Sequence, residues 1–426
     1  MNNKRYLKRR ISTNCYYTMF DIDPHGPCVA CIPRFRKAAI SDVEILPNNN
    51  FEFGKALEWQ PHLLEYVFEY LDFASLQTIL SVNNNVWKNL AERELSKRSA
   101  CSWITCTYIP SLCVLRTDQQ YQNNNKALGI FAYCPKFVKL EKYVCLHDCP
   151  NFFRMSFAEY LATEVVPDGV KYCAISCTDI PPANIENKDI VSLYQGIYLP
   201  DIPKMRILTF YVNAKIQNSV PEIRDDEHVK CLLVFTHKYR VKSAETFLSN
   251  LLDGRNIDSM AMGGGLIKSS KMFPIIRRYV RSEDLFCIAF TGEKGEDADF
   301  NAYSVVIRTD DETLYEDEQN TIFEKELSKL KEMVTLRKSG TVFRFCCYAK
   351  SFKDAENAMI EKCFPKYPLF SIDVDGEIGW NTINLSPETT PEASPLPKTK
   401  KLKYGVPQTL HGWSSVLVVI TWGKKL

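Results

Sequence analysis

What this chain lacks narrows the reading first. No apolar stretch nears the roughly 18–20 residues that a bilayer-crossing helix needs, and the longest, at 416–422, is strand-sized. Net charge is almost absent, with 53 Lys and Arg against 51 Asp and Glu for a formal +2. A protein held on nucleic-acid phosphates usually carries a larger basic excess or a basic face, so nucleic acid is not an expected partner, and neither is a membrane. Histidine is scarce, at six in 426 residues. No Gly-x-Ser-x-Gly elbow and no His-Glu-x-x-His pair is present, which leaves hydrolytic chemistry without sequence support. The stretch 263–270 has the outline of a phosphate loop, but Ile267 stands where a glycine must let the backbone cradle phosphate.

Cysteine is plentiful by contrast, at 16. Several lie inside apolar runs, with Cys231 ahead of Leu-Leu-Val-Phe and Cys346-Cys347 after Val-Phe-Arg-Phe. Reduced cysteine in such runs packs as a small hydrophobe. A chain of this length does not depend on disulfides, and its first residues lack the charged, apolar, small-residue order of a secretory signal. The expected compartment is therefore reducing, the cytoplasm or also the nucleus. Cys28-Val-Ala-Cys31 has metal-like spacing, and Cys145, His147 and Cys149 offer further ligand types. About a hundred residues separate the two groups, too far for the usual paired zinc spacing. No metal and no cofactor is expected. The basic start (Lys4, Arg5, Lys8, Arg9, Arg10) fits either a mitochondrial presequence or a disordered tail. Lys398, Lys400, Lys401 and Lys403 fit either a nuclear import patch or a solvated loop face.

With 45% hydrophobic residues the chain can bury a core, and its length suggests one small and one or two larger domains. Residues 1–56 are rich in turn formers and read as a flexible arm. From Trp59 the pattern turns helical. Leu63, Leu64, Val67, Phe68 and Leu71 recur at one-turn spacing, with Pro61 tolerated in the first turn. Asp72 or Ser75 can cap a second helix carrying Leu76, Ile79 and Leu80, and a third carries Val86, Trp87 and Leu90 after an Asn83-Asn84-Asn85 turn. Three short amphipathic helices hold more apolar surface than they can bury among themselves, so the module calls for a partner. Beyond residue 100 the chain alternates strands and helices, most clearly as strand–helix–strand units near 231–265 and 341–374. A Pro-, Thr-, Ser- and Lys-rich stretch at 385–406 reads as an insertion.

The segment beginning at Trp59 resembles the F-box. Pro61, Leu63-Leu64, Val67-Phe68, Tyr70-Leu71-Asp72, Ser75-Leu76, Trp87 and Leu90 fall in that family's order and near its spacing. The resemblance covers residues 57–97 and implies a helical module that docks apolar anchors into the groove of a Skp1-type adaptor joined to a cullin scaffold. The anchors would be Pro61, Leu63, Leu64, Val67, Phe68, Leu71, Leu76, Ile79, Leu80 and Trp87. A small helical cap packed on the chain's own α/β domain remains the other reading of the same stripes.

The larger part is similar to the FIST family, which occurs with F-boxes. The similarity is carried by Val229 to Phe235 followed by Ala261-Met-Gly-Gly-Gly265, by Thr341 to Cys347 followed by Phe364-Pro365 and Pro368-Leu369-Phe370, and by Gly376-Glu377-Ile378-Gly379. It implies an α+β or α/β domain of mixed sheets in two halves, 101–225 and 226–426. The family is thought to sense small, amino-acid-like ligands, which makes Gly263, Gly264, Gly265, Gly376, Glu377 and Gly379 the candidate pocket. A Gly triplet after a strand can let backbone approach a ligand or another strand, and tight turns would use the same residues. Together the two resemblances imply a non-catalytic substrate receptor of an SCF-type ubiquitin ligase, or a small-molecule sensor coupled to an F-box. The target protein is left open.

Overall fold

Residues 59–71, 73–109, 114–120, 126–133, 161, 165–166, 170–177, 180, 191–202, 204–213, 223–224, 226–237, 248, 260–267, 269–273, 284–293, 299–309, 315–350, 353–382 and 409–426 are described in the computed structural model. The arm 1–56, both cysteine groups considered for metal, the 385–406 insertion and most of the helices expected near 156–165 and 243–252 lie outside them. The described residues fall into two compact units, those within 1–94 and 136–170 and those within 95–135 and 171–426. Among them no helix is long and apolar enough to cross a membrane.

The first unit holds the short helices α1 (Pro61–Phe68) and α2 (Phe73–Ile79) and most of α3 (Asn85–Arg98). Pro61 opens α1, where its missing N–H removes no helical hydrogen bond. Asn84 caps α3, its Oδ1 accepting the N–H groups of Val86 at 2.9 Å and Trp87 at 3.2 Å. Asp72 lies outside the described residues, and Ser75 sits inside α2 rather than at its cap.

The second unit begins as α3 ends. Its strands are β1 (Ser102–Ile109), β2 (Val114–Gln120), β3 (Lys126–Tyr133), β4 (Lys171–Ser176), β5 (Val191–Pro200), β6 (Met205–Asn213), β7 (Glu227–His237), β8 (Ala261–Ile267), β9 (Ser269–Phe273), β10 (Asp284–Glu293) and β11 (Phe300–Arg308). Helix α4 (Glu316–Met333), strand β12 (Arg337–Cys347), helix α5 (Asp354–Cys363) and strands β13 (Leu369–Val374), β14 (Glu377–Ile378), β15 (Leu410–His411) and β16 (Ser414–Lys425) complete it. They form three mixed sheets, ordered β2-β1-β5-β3-β4-β9, β15-β14-β8-β7-β10-β6 and β11-β16-β12-β13. Each sheet contains one parallel pair, β3–β4, β7–β8 or β12–β13. Each pair is flanked by a later strand running antiparallel to its first member: β5 on β3, β10 on β7 and β16 on β12. The same topological motif therefore occurs three times, where the sequence signals two.

Packing follows the strand alternation that sends successive side chains to opposite faces. In the second sheet Cys231, Leu233 and Phe235 of β7 join Phe286, Ile288 and Phe290 of β10 in a core shared with Phe343, Phe345, Val416 and Val418 of the third sheet. Their neighbours Leu232, Val234, Cys287 and Ala289 turn to a second core with Trp380. The other face of the third sheet packs Val342, Leu417 and Val419 against Phe323, Leu327 and Leu330 of α4 and Ile360 of α5. Each fully buried Leu or Phe contributes roughly 1.5–3 kcal/mol. Helix α4 begins on Glu316, Asp317 and Glu318, a charge order its dipole favours, and Glu318 Oε2 accepts the Tyr315 N–H at 2.9 Å. Where α3 runs into β1, Trp422 donates its indole N–H to the Ser99 carbonyl (2.8 Å) and Lys126 its ammonium to the Ala100 carbonyl (2.6 Å).

The glycine triplet departs from expectation. Gly263, Gly264 and Gly265 do not form a loop after β8; they lie within it, and all three are buried. A methyl group on Gly263 would meet Val418 Cγ2 at 2.4 Å, and one on Gly265 would meet Val374 Cγ2 at 2.6 Å. Gly264 has φ +138° and its missing Cβ would stand 1.9 Å from the Val234 carbonyl oxygen. Gly263 and Gly265 let the second and third sheets press together, and Gly264 lets β8 close on β7. Replacing Gly264 with Ala should therefore abolish the native fold, because the clash is with backbone that cannot move. Gly376→Ala, whose nearest neighbour is the flexible Leu266 side chain at 3.1 Å, should lower the melting temperature by only a few degrees in a thermal scan.

Candidate functional site

Two places carry the residues singled out from sequence, one in each unit. On α1 the apolar anchors divide between two faces. Leu64 and Phe68 are fully buried, as is Leu76 on α2, and the Phe68 ring meets Trp87 edge to face at 5.8 Å. Leu71, Ile79, Leu80 and Trp87 are half-buried, while Pro61, Leu63 and Val67 are exposed. The exposed face extends further than the anchors. Trp59 (86% exposed), Leu63, Tyr66, Val67 and Tyr70 (68%) follow one another at helical spacing, and Tyr70 donates its hydroxyl hydrogen to Tyr66 at 3.1 Å. Val82 and Val86, near the start of α3, are exposed as well. A helix this short with apolar residues on two faces leaves one of them in water.

In the second unit Gly376, Glu377, Ile378 and Gly379 run along β14 beside β8, with Glu377 paired to Gly265 on one side and to His411 on the other. Gly376 and Asp375 close onto β8 through Leu266, whose N–H donates to the Gly376 carbonyl at 2.8 Å while its carbonyl accepts from Asp375 at 3.0 Å. The structure thus brings Gly265, Gly376, Glu377 and Gly379 together, with Gly263 and Gly264 in the adjoining strand. This spot lies at the carboxyl ends of the parallel pairs β7–β8 and β12–β13, where open α/β sheets place their ligand crevices.

Glu377 is fully buried. Its Oε2 accepts the Ser414 hydroxyl at 2.7 Å and the Ser414 N–H at 3.3 Å. Among the described residues its Oε1 has no hydrogen-bond partner within ordinary N–H or O–H distance, although the thiol of Cys347 lies against the carboxyl group. Burial pushes the carboxyl up to about 7, more than the Ser414 and Cys347 contacts pull it down. The sequence reading placed Glu377 at this turn but not Ser414, Cys347 or His411, which come from distant strands. Among the described residues no group of three or more His, Cys, Asp or Glu is placed to hold a metal ion.

No protein-family model matches the chain, and no curated protein matches it.

One cluster carries no sequence motif. Arg344 of β12 is buried between the third sheet and α5, where its Nε and Nη2 donate to Glu356 Oε2 at 3.0 and 2.6 Å and its Nη1 donates to Ser371 Oγ at 3.0 Å. Lys350 pairs with the other Glu356 oxygen, Ser415 donates to Glu356 Oε2 at 2.6 Å, and Lys353 pairs with Asp373. Burial opposes ionisation of Glu356, but Arg344 and Lys350 outweigh it and hold the carboxyl below its ordinary range. The one local clue is a charged residue inside the run Val-Phe-Arg-Phe-Cys-Cys. Arg344→Met should leave Glu356 buried beside a single cation and cost about 3–5 kcal/mol in denaturant unfolding. Because the pair is dry, added salt should leave that deficit unchanged.

Proposed function

We propose that this chain is the substrate-recognition subunit of a Skp1–cullin–F-box ubiquitin ligase. The reading rests on the F-box resemblance over 57–97 and is supported by one observation above all, the open apolar face of α1 bearing Leu63, Tyr66 and Val67. A Skp1-type adaptor laid on that face would use the helix-in-groove mode, with the buried Leu64, Phe68 and Leu76 holding the helices in register beneath it. The α/β unit would then hold a target protein near the conjugating enzyme. Effective concentration, rather than chemistry by this chain, would do the work. The reading carries a direct test. Leu63→Asp with Val67→Asp should leave the melting temperature nearly unchanged, as surface substitutions do. The pair should abolish recovery of adaptor and cullin when the tagged chain is purified from cells. Leu64→Asp with Phe68→Asp should instead unfold the module, because it buries unpaired carboxylates. Adaptor retained by the surface pair, or absent from the wild-type chain, would refute the ligase reading.

A second reading makes the α/β unit a sensor for a small amino-acid-like molecule, and the unpartnered Oε1 of Glu377 favours it. A ligand bound only by the native state raises its melting temperature. Titrating the amino acids singly should then stabilise the wild-type chain and not Glu377→Gln. A uniform absence of shift would leave the α/β unit as a protein-binding scaffold.

A further inference from the structure

Glu377 and His411 are register partners across β14 and β15; the contacts of His411 suit only its neutral ring, and Glu377 is buried away from the water that would support its charge. His411 Nε2 lies 2.9 Å from the Gly379 carbonyl, which can only accept, so this nitrogen carries the hydrogen. Its Nδ1 lies 3.0 Å from Arg308 Nη2, which can only donate, so this nitrogen is bare. A second proton on the ring would break the Arg308 contact and set two cations face to face. Glu377 has the complementary problem. Its neighbours are the Ser414 hydroxyl and N–H and the Cys347 thiol, all uncharged, and among the described residues no cation forms an ion pair with it. The Cys347 thiol is itself pushed up by burial and by Glu377, so it stays a neutral neighbour of the carboxyl group.

The element that covers this pair is short. Strand β15 has two residues and is joined to β16 by Gly412 and Trp413. Trp413 has φ +59° and is 42% exposed, a left-handed conformation unusual for a bulky side chain and one that marks stored strain. Next to it, Ser414 is the residue that holds Glu377 Oε2. On the other side, Thr409 accepts the Gly379 N–H at 2.8 Å.

We propose that β15 and the Gly412–Trp413 turn form a clasp that is held most firmly while Glu377 and His411 are both uncharged, so that rising pH loosens it through Glu377 and falling pH loosens it through His411. The proposal rests on neither functional reading above. When the clasp opens, Glu377 regains its ordinary ionisation near 4.5, against about 7 when shut. The shut form then binds the extra proton, and opening becomes more frequent as pH rises through that interval and levels off above it. His411 is held below its ordinary 6.5, first by burial and then by Arg308. The open form then binds the extra proton, and opening becomes more frequent as pH falls below 6.5. In the native chain the two slopes oppose one another over the range they share, which makes the shut clasp tolerant of mild acidification.

Single substitutions separate the two slopes. Hydrogen exchange of the full chain, corrected for the intrinsic chemistry of amide exchange, would be followed at residues 409–416 from pH 5.5 to 8. With Glu377→Gln, exchange there should accelerate as pH falls below 6.5. With His411→Gln, whose amide can donate to Gly379 and accept from Arg308, it should accelerate as pH rises, by roughly tenfold per pH unit up to about 7. The buried β10 segment, 284–293, reports global unfolding and should not follow. Both variants matching the wild-type profile, or β10 losing protection in step with the clasp, would overturn the proposal. If either variant fails to fold, the wild-type chain decides. Its exchange at 409–416 should rise a few-fold between pH 6.5 and 8 while β10 holds, and a flat profile would overturn the proposal.

Discussion

The second unit depends on how closely the second and third sheets approach at β8. Sheets packed through ordinary side chains lie about 10 Å apart. Here Val418 and Phe345 reach the Cα surface of Gly263, Val374 reaches that of Gly265, and the Val234 carbonyl occupies the space a side chain on Gly264 would need. Gly263 and Gly265 thus bring two sheets into direct contact, while Gly264 lets β8 close on β7 within its own sheet. Because β14 is strapped to β8 at that same point, Glu377 is carried into the contact and cut off from water. The burial of this acid follows from the glycine packing, because Glu377 pairs directly with Gly265.

The ribbon formed by β12 and β16 carries a carboxyl group on each face, and environment alone sets them apart. Ser415, Cys346 and Arg344 point toward α5, where two cations and a hydroxyl surround Glu356. Ser414 and Cys347, one residue along each strand, point the other way, where Glu377 meets a hydroxyl, an amide and a thiol. Two glutamates with the same intrinsic chemistry are therefore shifted in opposite directions, one held below the ordinary carboxylate range and one pushed up to about 7. This separation of neighbouring carboxyls by their surroundings is the pattern by which proteins give like groups unlike roles. A motif search that counts carboxylates cannot see it, since the cations that decide the matter, Arg344 in β12 and Lys350 just after it, lie apart in sequence from Glu356 in α5.

Much of the secondary structure was legible in the residues. The apolar, β-branched runs at 231–235, 285–290, 302–308 and 341–348 each lie within or overlap a strand, and the charged amphipathic stretch after 316 is α4. Strand pairing was less legible. Strands β5 and β6 carry Gln195, Gly196, Arg206 and Thr209 among their apolar residues, which blurs the alternation. The return strands β10 and β16 pair with segments far away in sequence, and nothing local encodes that choice. The glycine triplet misled for the same reason. Locally it breaks a strand, and only the opposing sheet explains why it stays in one. At the candidate site, Glu377 could be named from its glycine-flanked motif, but Ser414 and His411 lie beyond the 385–406 insertion and could not be tied to it.

Adjacent apolar pairs hold a further constraint that spacing exposes only halfway. Leu63-Leu64 and Val67-Phe68 cannot share one face of a helix, because neighbouring residues point about 100° apart. The sequence therefore requires α1 to be apolar on two sides but does not say which side the chain itself covers. In the structure Leu64 and Phe68 take the inner side. A helix of eight residues has little stability of its own, so this inner packing is what keeps α1 folded. The outer residues Leu63, Tyr66 and Val67 contribute nothing comparable to folding, and in water they are a liability for solubility. The ligase reading proposes a second polypeptide for this stripe, which does not stabilise the chain that carries it, and on that proposal the reading turns.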